Sequence, residues 1–364
     1  MKKVLTVVGA RPQFIKAASV SKVLRESTGF NEIMVHTGQH YDQNMSQTFF
    51  DELDMGFPSY NLEVASGSHG YQTGEMLKHL EPIMVEEKPD VVLVYGDTNS
   101  TLAGALAAAK LSMPIAHVEA GLRSFNRRMP EEINRVLTDH VSSLLYCPTT
   151  AAVKNLEREG IVSNVWSTGD VMYDVAVQFS RKSRAKSTIL QDLGLRPQEY
   201  MLATVHRAEN TDRKDYLSNI LAALSQIANE IAVVIPIHPR TRKMCQTFGL
   251  EDQLSGLKVI NPVGFLDMIT LESNARLIAT DSGGVQKEAY FHKVPCVTLR
   301  GETEWVETVE AKWNMLAGVE TIEGILQVVH ASLAFGGERL AISDYGDGAA
   351  SYKIVQGLNE FFRA

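Results

Sequence analysis

Residues 114–135 read Pro-Ile-Ala-His-Val-Glu-Ala-Gly-Leu-Arg-Ser-Phe-Asn-Arg-Arg-Met-Pro-Glu-Glu-Ile-Asn-Arg. An apolar strand ends at Val118, a charged loop starts at Glu119, and Pro130 stands where a helix begins. Its fixed φ and missing N–H cost nothing at a first helical position. A strand feeding a helix through a loop is the repeating unit of a parallel sheet, and open α/β sheets bind ligands at such carboxyl-end loops. From His117 to Arg135 the stretch carries three carboxylates and four arginines. Charge at that density predicts a loop that handles a polar, anionic substrate.

The same alternation extends outward. Strands are expected at Val4–Val8, Glu32–His36, Asp90–Tyr95, Ile115–Val118 and Ser143–Cys147. Helices are expected at Pro12–Leu24, Tyr71–Glu87, Ser100–Leu111, Glu131–His140 and Ala151–Glu159. Continuous apolar strands separated by helices imply a parallel sheet covered on both faces. At Ser167–Asp170 the pattern pauses, and a polar segment follows at Ser180–Ser187, so a domain junction is expected between Gly169 and Arg184. The second half repeats the scheme, with strands at Met201–Val205, Ala232–Ile237, Lys258–Ile260, Ala275–Thr280 and Cys296–Leu299. Its helices are expected at Lys214–Asn229, Leu266–Ser273, Gly284–Tyr290 and Thr321–Leu333. The expected class is α/β: two Rossmann-like, doubly wound domains, 1–170 and 171–348, facing a central cleft. A C-terminal helix over 349–364 is free to pack on either, including back on the N-terminal domain.

At 364 residues the chain exceeds one ordinary core. Its 35 Lys and Arg against 43 Asp and Glu leave a net charge of −8, which argues against a general nucleic-acid or anionic-membrane surface. An anion must then be held by a local basic pocket. Cys147, Cys245 and Cys296 are odd in number and lack metal spacing, so they read as buried small hydrophobes of a reducing compartment. The first residues, Met-Lys-Lys-Val-Leu-Thr-Val-Val-Gly, run into a Gly-Ala-Arg-Pro turn without a cleavage site. No apolar run approaches the ~18 residues of a membrane span. A cytoplasmic location is expected.

Thr280-Asp-Ser-Gly-Gly-Val-Gln-Lys-Glu288 is the strongest local signal. A strand ends at two glycines that open a helix; glycine permits close backbone approach, and the free amides of the first turn attract phosphate. Glu288 lies four residues past Gly284, on the same helical face, where it can accept from a ribose. Gly9-Ala-Arg-Pro-Gln-Phe-Ile-Lys16 puts Arg11 and Lys16 at the first strand-to-helix turn, where a guanidinium can clasp phosphate through two bonds. Neither that turn nor Gly346-Asp-Gly-Ala-Ala-Ser carries the three-glycine dinucleotide fingerprint in its strand-to-helix setting, so no bound nicotinamide is expected.

Asp97 directly follows one apolar strand and Glu119 the next, which puts two acids on one sheet edge. Each alone reads equally as a helix cap or an arginine partner, and Glu131 and Glu132 as first-turn acids favoured by the helix dipole. His206-Arg207 and His238-Pro239-Arg240 stand at strand carboxyl ends, where basic groups facing a phosphate explain them better than a metal does. His36 and His40 straddle a Thr-Gly-Gln turn instead of sharing a helical face, so no metal site is expected.

In order, the chain contains Gly9-Ala-Arg-Pro-Gln, His36-Thr-Gly-Gln-His40, Gly96-Asp-Thr, His117-Val-Glu-Ala-Gly-Leu-Arg, Pro130-Glu-Glu-Ile-Asn-Arg, His206-Arg-Ala-Glu-Asn, His238-Pro-Arg, Asp281-Ser-Gly-Gly-Val-Gln and Thr303-Glu-Trp-Val-Glu307. This series resembles the non-hydrolysing UDP-N-acetylglucosamine 2-epimerases over almost the whole length. The resemblance implies a GT-B type fold, a homodimer and a reaction without a cofactor. UDP is eliminated across C1–C2 to a glycal and re-added after the C2 proton returns on the opposite face, serving cell-surface polysaccharide precursors. On matching positions it implies Asp97, Glu119 and Glu131 as the acids at the sugar, without distinguishing which serves which face of C2. It implies Arg11, Lys16, His206 and Arg300 as partners of the departing diphosphate. Ser282, Gly283, Gly284 and Glu288 would hold diphosphate and ribose, with Phe265 near the uracil. Gln39, Gln72, Arg207 and His238 match residue types of the allosteric UDP-GlcNAc site that some members carry.

Three departures stand out. The Glu119–Pro130 loop is two residues short and carries Arg127-Arg128 in place of a Tyr-Ser-Pro sequence. Glu304-Trp-Val-Glu307 replaces Glu-Arg-Pro-Glu, and Tyr41-Asp42 replaces the allosteric site's Arg and Gln or Glu. The first two resemble the subgroup that epimerises UDP-2,3-diacetamido-2,3-dideoxy-glucuronate for O-antigen sugars, whereas archaeal-type N-acetylglucosamine epimerases share a similar Arg-Ser-Phe loop. Both substrates therefore stand at this point. A GT-B glycosyltransferase using a UDP-sugar is the alternative of another class, and a UDP-sugar binding module without turnover is a third.

Overall fold

The computed structural model describes residues 1–39 and 47–363, with the backbone alone at Gln47 and Thr48. The chain forms two compact units: unit 1 is Met1–Val175 with Ser343–Ala364, and unit 2 is Ala176–Ile342. The passage from one to the other falls inside a helix.

Unit 1 begins β1 (Lys2–Val8), α1 (Arg11–Glu26), β2 (Phe30–His36), α2 (Gln47–Glu52), β3 (Tyr60–Asn61) and α3 (His69–Glu87). It continues β4 (Val91–Tyr95), α4 (Asn99–Lys110), β5 (Ile115–Val118), α5 (Pro130–Val141), β6 (Leu144–Cys147), α6 (Thr150–Arg158) and β7 (Val165–Ser167). All pairings are parallel, in the order β3-β2-β1-β4-β5-β6-β7. The direction reverses between β1 and β4, the switch point where an open sheet leaves a crevice at its strand ends. The β4 run Val-Val-Leu-Val-Tyr is buried throughout, as a strand covered on both faces must be. Over it lies α4, whose Ala-rich sequence suits a helix packed against both α3 and α5. Thr98 caps it by accepting from the Thr101 N–H.

Helix α7 (Val171–Lys186) carries the chain across the unit boundary and leads to α8 (Ile189–Asp192). Unit 2 then runs β8 (Tyr200–Thr204), α9 (Ala208–Thr211), α10 (Lys214–Ile227), β9 (Ala232–Pro236), α11 (Pro239–Phe248) and β10 (Lys258–Ile260). It continues α12 (Phe265–Asn274), β11 (Leu277–Thr280), α13 (Gly283–Phe291), β12 (Cys296–Thr298), α14 (Val306–Glu310), β13 (Asn314–Leu316) and α15 (Ile322–Ala334). The parallel order β10-β9-β8-β11-β12-β13 reverses between β8 and β11. The last helix, α16 (Ala350–Phe361), belongs to unit 1.

The polar segment expected at Ser180–Ser187, after the pause in the pattern, is the second half of α7. Val171, Met172, Val175, Ala176 and Phe179 are buried along it, and its Lys and Arg residues occupy the wet side. Strands β3, β7 and β13 have two or three residues each, and β3 and β7 are only partly covered. Edge pairing makes them, so no apolar run announces them. Helix α11 was also not anticipated; Pro239 opens it, and Gly249 closes it in the left-handed region.

Helix α16 docks on α1 through Ser351 and Ser19, whose hydroxyl oxygens lie 2.8 Å apart. The Asp174 carboxylate accepts from the Ala350 and Ser351 amides at 3.0 and 2.7 Å. Gly357 meets the Tyr146 ring so closely that an added Cβ would sit 2.8 Å from a ring carbon. Gly357→Leu is therefore expected to lower stability by about 1–3 kcal/mol, the usual effect of overpacking, read by thermal or urea unfolding.

Candidate active site

The unit 1 site grows from the strand ends beside the switch point. Gly96 follows β4, and His117 is the third residue of β5. His117 has no exposed surface; its Nδ1 lies 2.7 Å from Asp139 Oδ1 and its Nε2 lies 2.7 Å from the Gly96 carbonyl oxygen. Asp139, buried on α5, also accepts from Arg123 Nη1 at 2.7 Å and from the Gly121 amide at 3.0 Å. Burial alone would raise the Asp139 carboxyl, but His117 and Arg123 outweigh it and hold it below the usual carboxylate range. Arg123 reaches on to Glu159 with two bonds of 2.7 Å. This network ties β4, β5 and the following loop together.

Two acids project from that frame. Glu119 is buried and has φ +73°, in the left-handed region. Its amide donates to the Tyr146 carbonyl at 3.0 Å, which helps hold a conformation costing of order 1–3 kcal/mol. Its carboxylate pairs with Lys16 from α1. Asp97, one residue past Gly96, pairs with Arg135 from α5. The two pairs neighbour each other: a Cβ at Gly96 would lie 3.3 Å from Glu119 Oε2 and 3.6 Å from Lys16 Nζ. Asp97, Glu119 and Lys16 are thus brought to one place.

Glu131 is not part of that group and is exposed in the first turn of α5. The neighbouring Glu132 is not the surface acid expected from the helix dipole. It is buried and folds back to accept from the Ser124 and Phe125 amides at 2.8 and 2.9 Å, and from Arg135 at 3.0 Å. Burial works against its ionised form, yet these bonds hold its carboxyl below the ordinary value. Arg127 and Arg128 are exposed, and Arg127 lines a cavity of about 340 Å³ with Phe125 and His140. The Arg11 guanidinium lies over the Phe49 ring, 5.3 Å from its centroid. Gln39 and Gln72 are buried, with Gln39 Oε1 accepting from the Ser100 amide and Gln72 Nε2 donating to the Gln39 carbonyl. His40, Tyr41 and Asp42 lie outside the described residues.

Unit 2 has a corresponding anchor in Asp281, fully buried after β11. Its carboxylate accepts from the amides of His206 and Arg207 and from Asn210 Nδ2, at 3.0 to 3.1 Å. The His206 ring sits 5.6 Å from that of His238, centroid to centroid, and His238 is exposed while Arg207 is half-buried. Ser282 caps α13 by accepting from the Val285 amide at 3.5 Å. A side chain at Gly283 would collide with the Glu304 carboxylate. Glu304 in turn holds Arg300 at 3.0 Å and Arg207 at 3.7 Å, and those cations outweigh burial to keep its carboxyl below the usual range. Phe265 opens α12 and packs edge-on against Phe179, 5.3 Å away. Glu288 lies one turn into α13, half-buried beside Glu272.

Sequence reading missed Asp139, Arg135 as the partner of Asp97, and Glu304 as the partner of Arg207 and Arg300. Two of them left a local signal, Arg135 in its i,i+3 spacing from Glu132 and Glu304 in its i,i+4 spacing from Arg300. Among the described residues, no three His, Cys, Asp or Glu side chains gather as a metal ion would require.

Two parallel sheets, each with its anchored loops at a switch point, define a two-domain, Rossmann-like α/β protein of GT-B type. The profile of the family UDP-N-acetylglucosamine 2-epimerase matches residues 22–359. A Methanococcus maripaludis protein named UDP-N-acetylglucosamine 2-epimerase homolog is 55% identical over 363 residues, 98% of this chain and 99% of that one. The UDP-2,3-diacetamido-2,3-dideoxy-D-glucuronate 2-epimerase of Pseudomonas aeruginosa is 51% identical over 365 residues, covering 98% and 99%. The crystal structure of Methanocaldococcus jannaschii UDP-GlcNAc 2-epimerase in complex with UDP-GlcNAc and UDP superposes with a TM-score of 0.90, at 44% identity over 99% of this chain and 100% of that one. The chain belongs to the UDP-N-acetylglucosamine 2-epimerase family, a family of isomerases.

Removing one partner of a buried ionic cluster leaves the others uncompensated. Asp139→Ala is expected to destabilise unit 1 by about 3–5 kcal/mol, measured by urea unfolding, with Asp139→Glu recovering part of the loss.

Proposed function

We propose that the chain is a non-hydrolysing UDP-2-acetamido-sugar 2-epimerase that interconverts UDP-GlcNAc and UDP-ManNAc. The observation that carries this reading is the juxtaposition of two acid–cation pairs, Glu119 with Lys16 and Asp97 with Arg135, around Gly96. Epimerisation at C2 needs carboxylates that remove and return a proton while positive charge develops at C1. In the proposed reaction a carboxylate takes the C2 proton, the C2–H electrons become the C1=C2 double bond, and the C1–O bond breaks as UDP leaves. A proton then returns to C2 on the opposite face and a diphosphate oxygen attacks C1. The electron balance closes without an oxidant or a reductant.

Asp97, Glu119 and Glu131 act at the sugar in this reading, and Arg11, Lys16, His206 and Arg300 meet the negative charge of the departing diphosphate. The α13 amides beside Ser282, Gly283 and Gly284 hold the diphosphate, Glu288 accepts from the ribose, and Phe265 lies near the uracil. The Methanocaldococcus jannaschii relative named UDP-N-acetylglucosamine 2-epimerase, 45% identical over 368 residues, supports the UDP-GlcNAc reading. A second reading, epimerisation of UDP-2,3-diacetamido-2,3-dideoxy-glucuronate, is favoured by the Pseudomonas aeruginosa relative and by exposed Arg127 and Arg128, which suit a uronate carboxylate. We also propose a homodimer, supported by exposed apolar residues on α3 (Tyr71, Val85) and α5 (Ile133, Leu137). Three free, buried cysteines fit a cytoplasmic setting. Gln39 and Gln72 are engaged inside unit 1, so of the four residues matched to an allosteric site, Arg207 and His238 are the better placed to meet a ligand.

Incubation with UDP-GlcNAc in deuterated water is expected to put deuterium at C2 and to yield UDP-ManNAc. Absence of exchange with either candidate substrate would remove the epimerase reading, and the faster of the two assigns the subgroup. Asp97→Asn, Glu119→Gln and Glu131→Gln should each lower kcat by about 10²–10⁴-fold with the fold retained. Near-native rates in all three would show that other groups move the proton. Arg11→Ala should weaken UDP binding, measured by calorimetry.

A further inference from the structure

We infer that Glu304 is a positioning residue that sets the affinity of the nucleotide site by competition: its carboxylate claims the guanidinium groups of Arg300 and Arg207 beside the start of α13, and a diphosphate binds there by taking them over. The inference rests on the assignment of Arg300 and the α13 amides to the diphosphate proposed above.

Three neighbouring strand ends of unit 2 converge on this carboxylate. Strands β8, β11 and β12 lie side by side and parallel in the sheet. Arg207 follows β8, Gly283 opens α13 after β11, and Arg300 follows β12. Glu304 meets all three. A Cβ added at Gly283 would collide with Glu304 Oε1, so the carboxylate rests against the first residue of the helix. Its Oε2 accepts from Arg300 Nη1 at 3.0 Å, and its Oε1 lies 3.7 Å from Arg207 Nη2. One carboxylate thus engages the guanidinium groups of two loops.

The neighbours of Glu304 hold it in that place. Thr303 Oγ1 donates to Gln286 Oε1 on α13 at 2.6 Å and accepts from the Trp305 amide at 3.1 Å. Trp305 is buried, with the Lys287 ammonium of α13 over its ring, 4.1 Å from the centroid. The residues on either side of Glu304 are therefore fastened to α13. Asp281 fixes the Arg207 backbone by accepting from its amide at 3.0 Å. The Arg300 side chain is 8% exposed and that of Glu304 26%, so the pair is sheltered from screening yet within reach of a ligand.

A phosphate and a carboxylate offer a guanidinium the same paired acceptor oxygens. A helix start attracts either anion through its free amides and its dipole. Groups that bind one are therefore contested by the other. An arginine held by Glu304 must be released before it meets phosphate, and apparent affinity falls with the fraction of sites so held. A diphosphate brings more charge and more acceptor oxygens than one carboxylate, so it prevails.

Deleting the carboxylate has opposite effects on stability and on binding. Two neighbouring guanidinium groups lose their counter-charge, which destabilises unit 2. The same groups become free for phosphate, which tightens binding. A role confined to stability would weaken both.

Calorimetry on wild type, Glu304→Gln and Glu304→Ala with UDP, inorganic pyrophosphate and uridine tests the competition. Both variants should bind UDP and pyrophosphate about tenfold tighter, the scale of a hydrogen bond to a charged group. They should bind uridine as wild type does and unfold at lower urea concentration. Unchanged or weaker UDP binding by Glu304→Gln overturns the inference, and so does an equal gain for uridine. Glu304→Ala decides the matter where the glutamine variant does not fold. In an Arg207→Ala, Arg300→Ala background, removing Glu304 should bring no gain. A gain that persists there reports plain repulsion of phosphate and overturns the competition. Arg300→Ala alone should weaken UDP binding; unchanged affinity instead removes the diphosphate assignment on which the inference rests.

Discussion

A buried carboxylate must be surrounded by donors, and in unit 1 Asp139 meets that requirement with the imidazole of His117, the guanidinium of Arg123 and the amide of Gly121. These donors come from β5 and from the loop after it. The other nitrogen of His117 reaches the Gly96 carbonyl at the end of β4. One charge on α5 therefore decides how two neighbouring strand ends and a long loop lie together. Asp281 does the same in unit 2, where it draws the backbone of His206 and Arg207 toward the start of α13. Desolvating either aspartate without its donors would cost several kcal/mol, so the loops adopt the geometry that supplies them.

That rigidity matters because acid–base groups act only when held in place. Glu119 occupies a left-handed backbone conformation, and the ion pairs with Lys16 and Arg135 orient the two acids beside Gly96. Glu132 secures the loop from the opposite side by accepting the Ser124 and Phe125 amides. Of the four arginines in the loop and the start of α5, Arg123 and Arg135 are committed to carboxylates, while Arg127 and Arg128 stay exposed. The charge density of the stretch is thus divided between side chains committed to ion pairs and side chains left exposed.

Most strands of both sheets could be read from the chain because each is a continuous apolar run that a parallel sheet buries on both faces. Ile115–Val118 and Lys258–Ile260 fall where the pattern puts them. Strands β3, β7 and β13 escaped because two or three residues at a sheet edge need no apolar run. Helix α7 escaped because its polar side dominates the composition. Among the site residues, Asp97, Glu119 and the Ser282-Gly-Gly turn were visible because each directly follows a buried strand. Asp139 was not, since an aspartate near the end of an amphipathic helix looks like any surface acid until its neighbours are known.

By itself, then, the sequence determined the parallel α/β class, the strand ends at which the candidate site residues stand and the residue types gathered there. Those properties depend on local periodicity and on chain position, which a linear reading preserves. The tertiary structure alone decided which acid is a builder and which is a candidate for chemistry. Glu131 and Glu132 are adjacent, yet one is exposed and the other is buried among amides. Burial and partner distance set the charge state of a carboxyl group, and neither exists until distant parts of the chain have packed together.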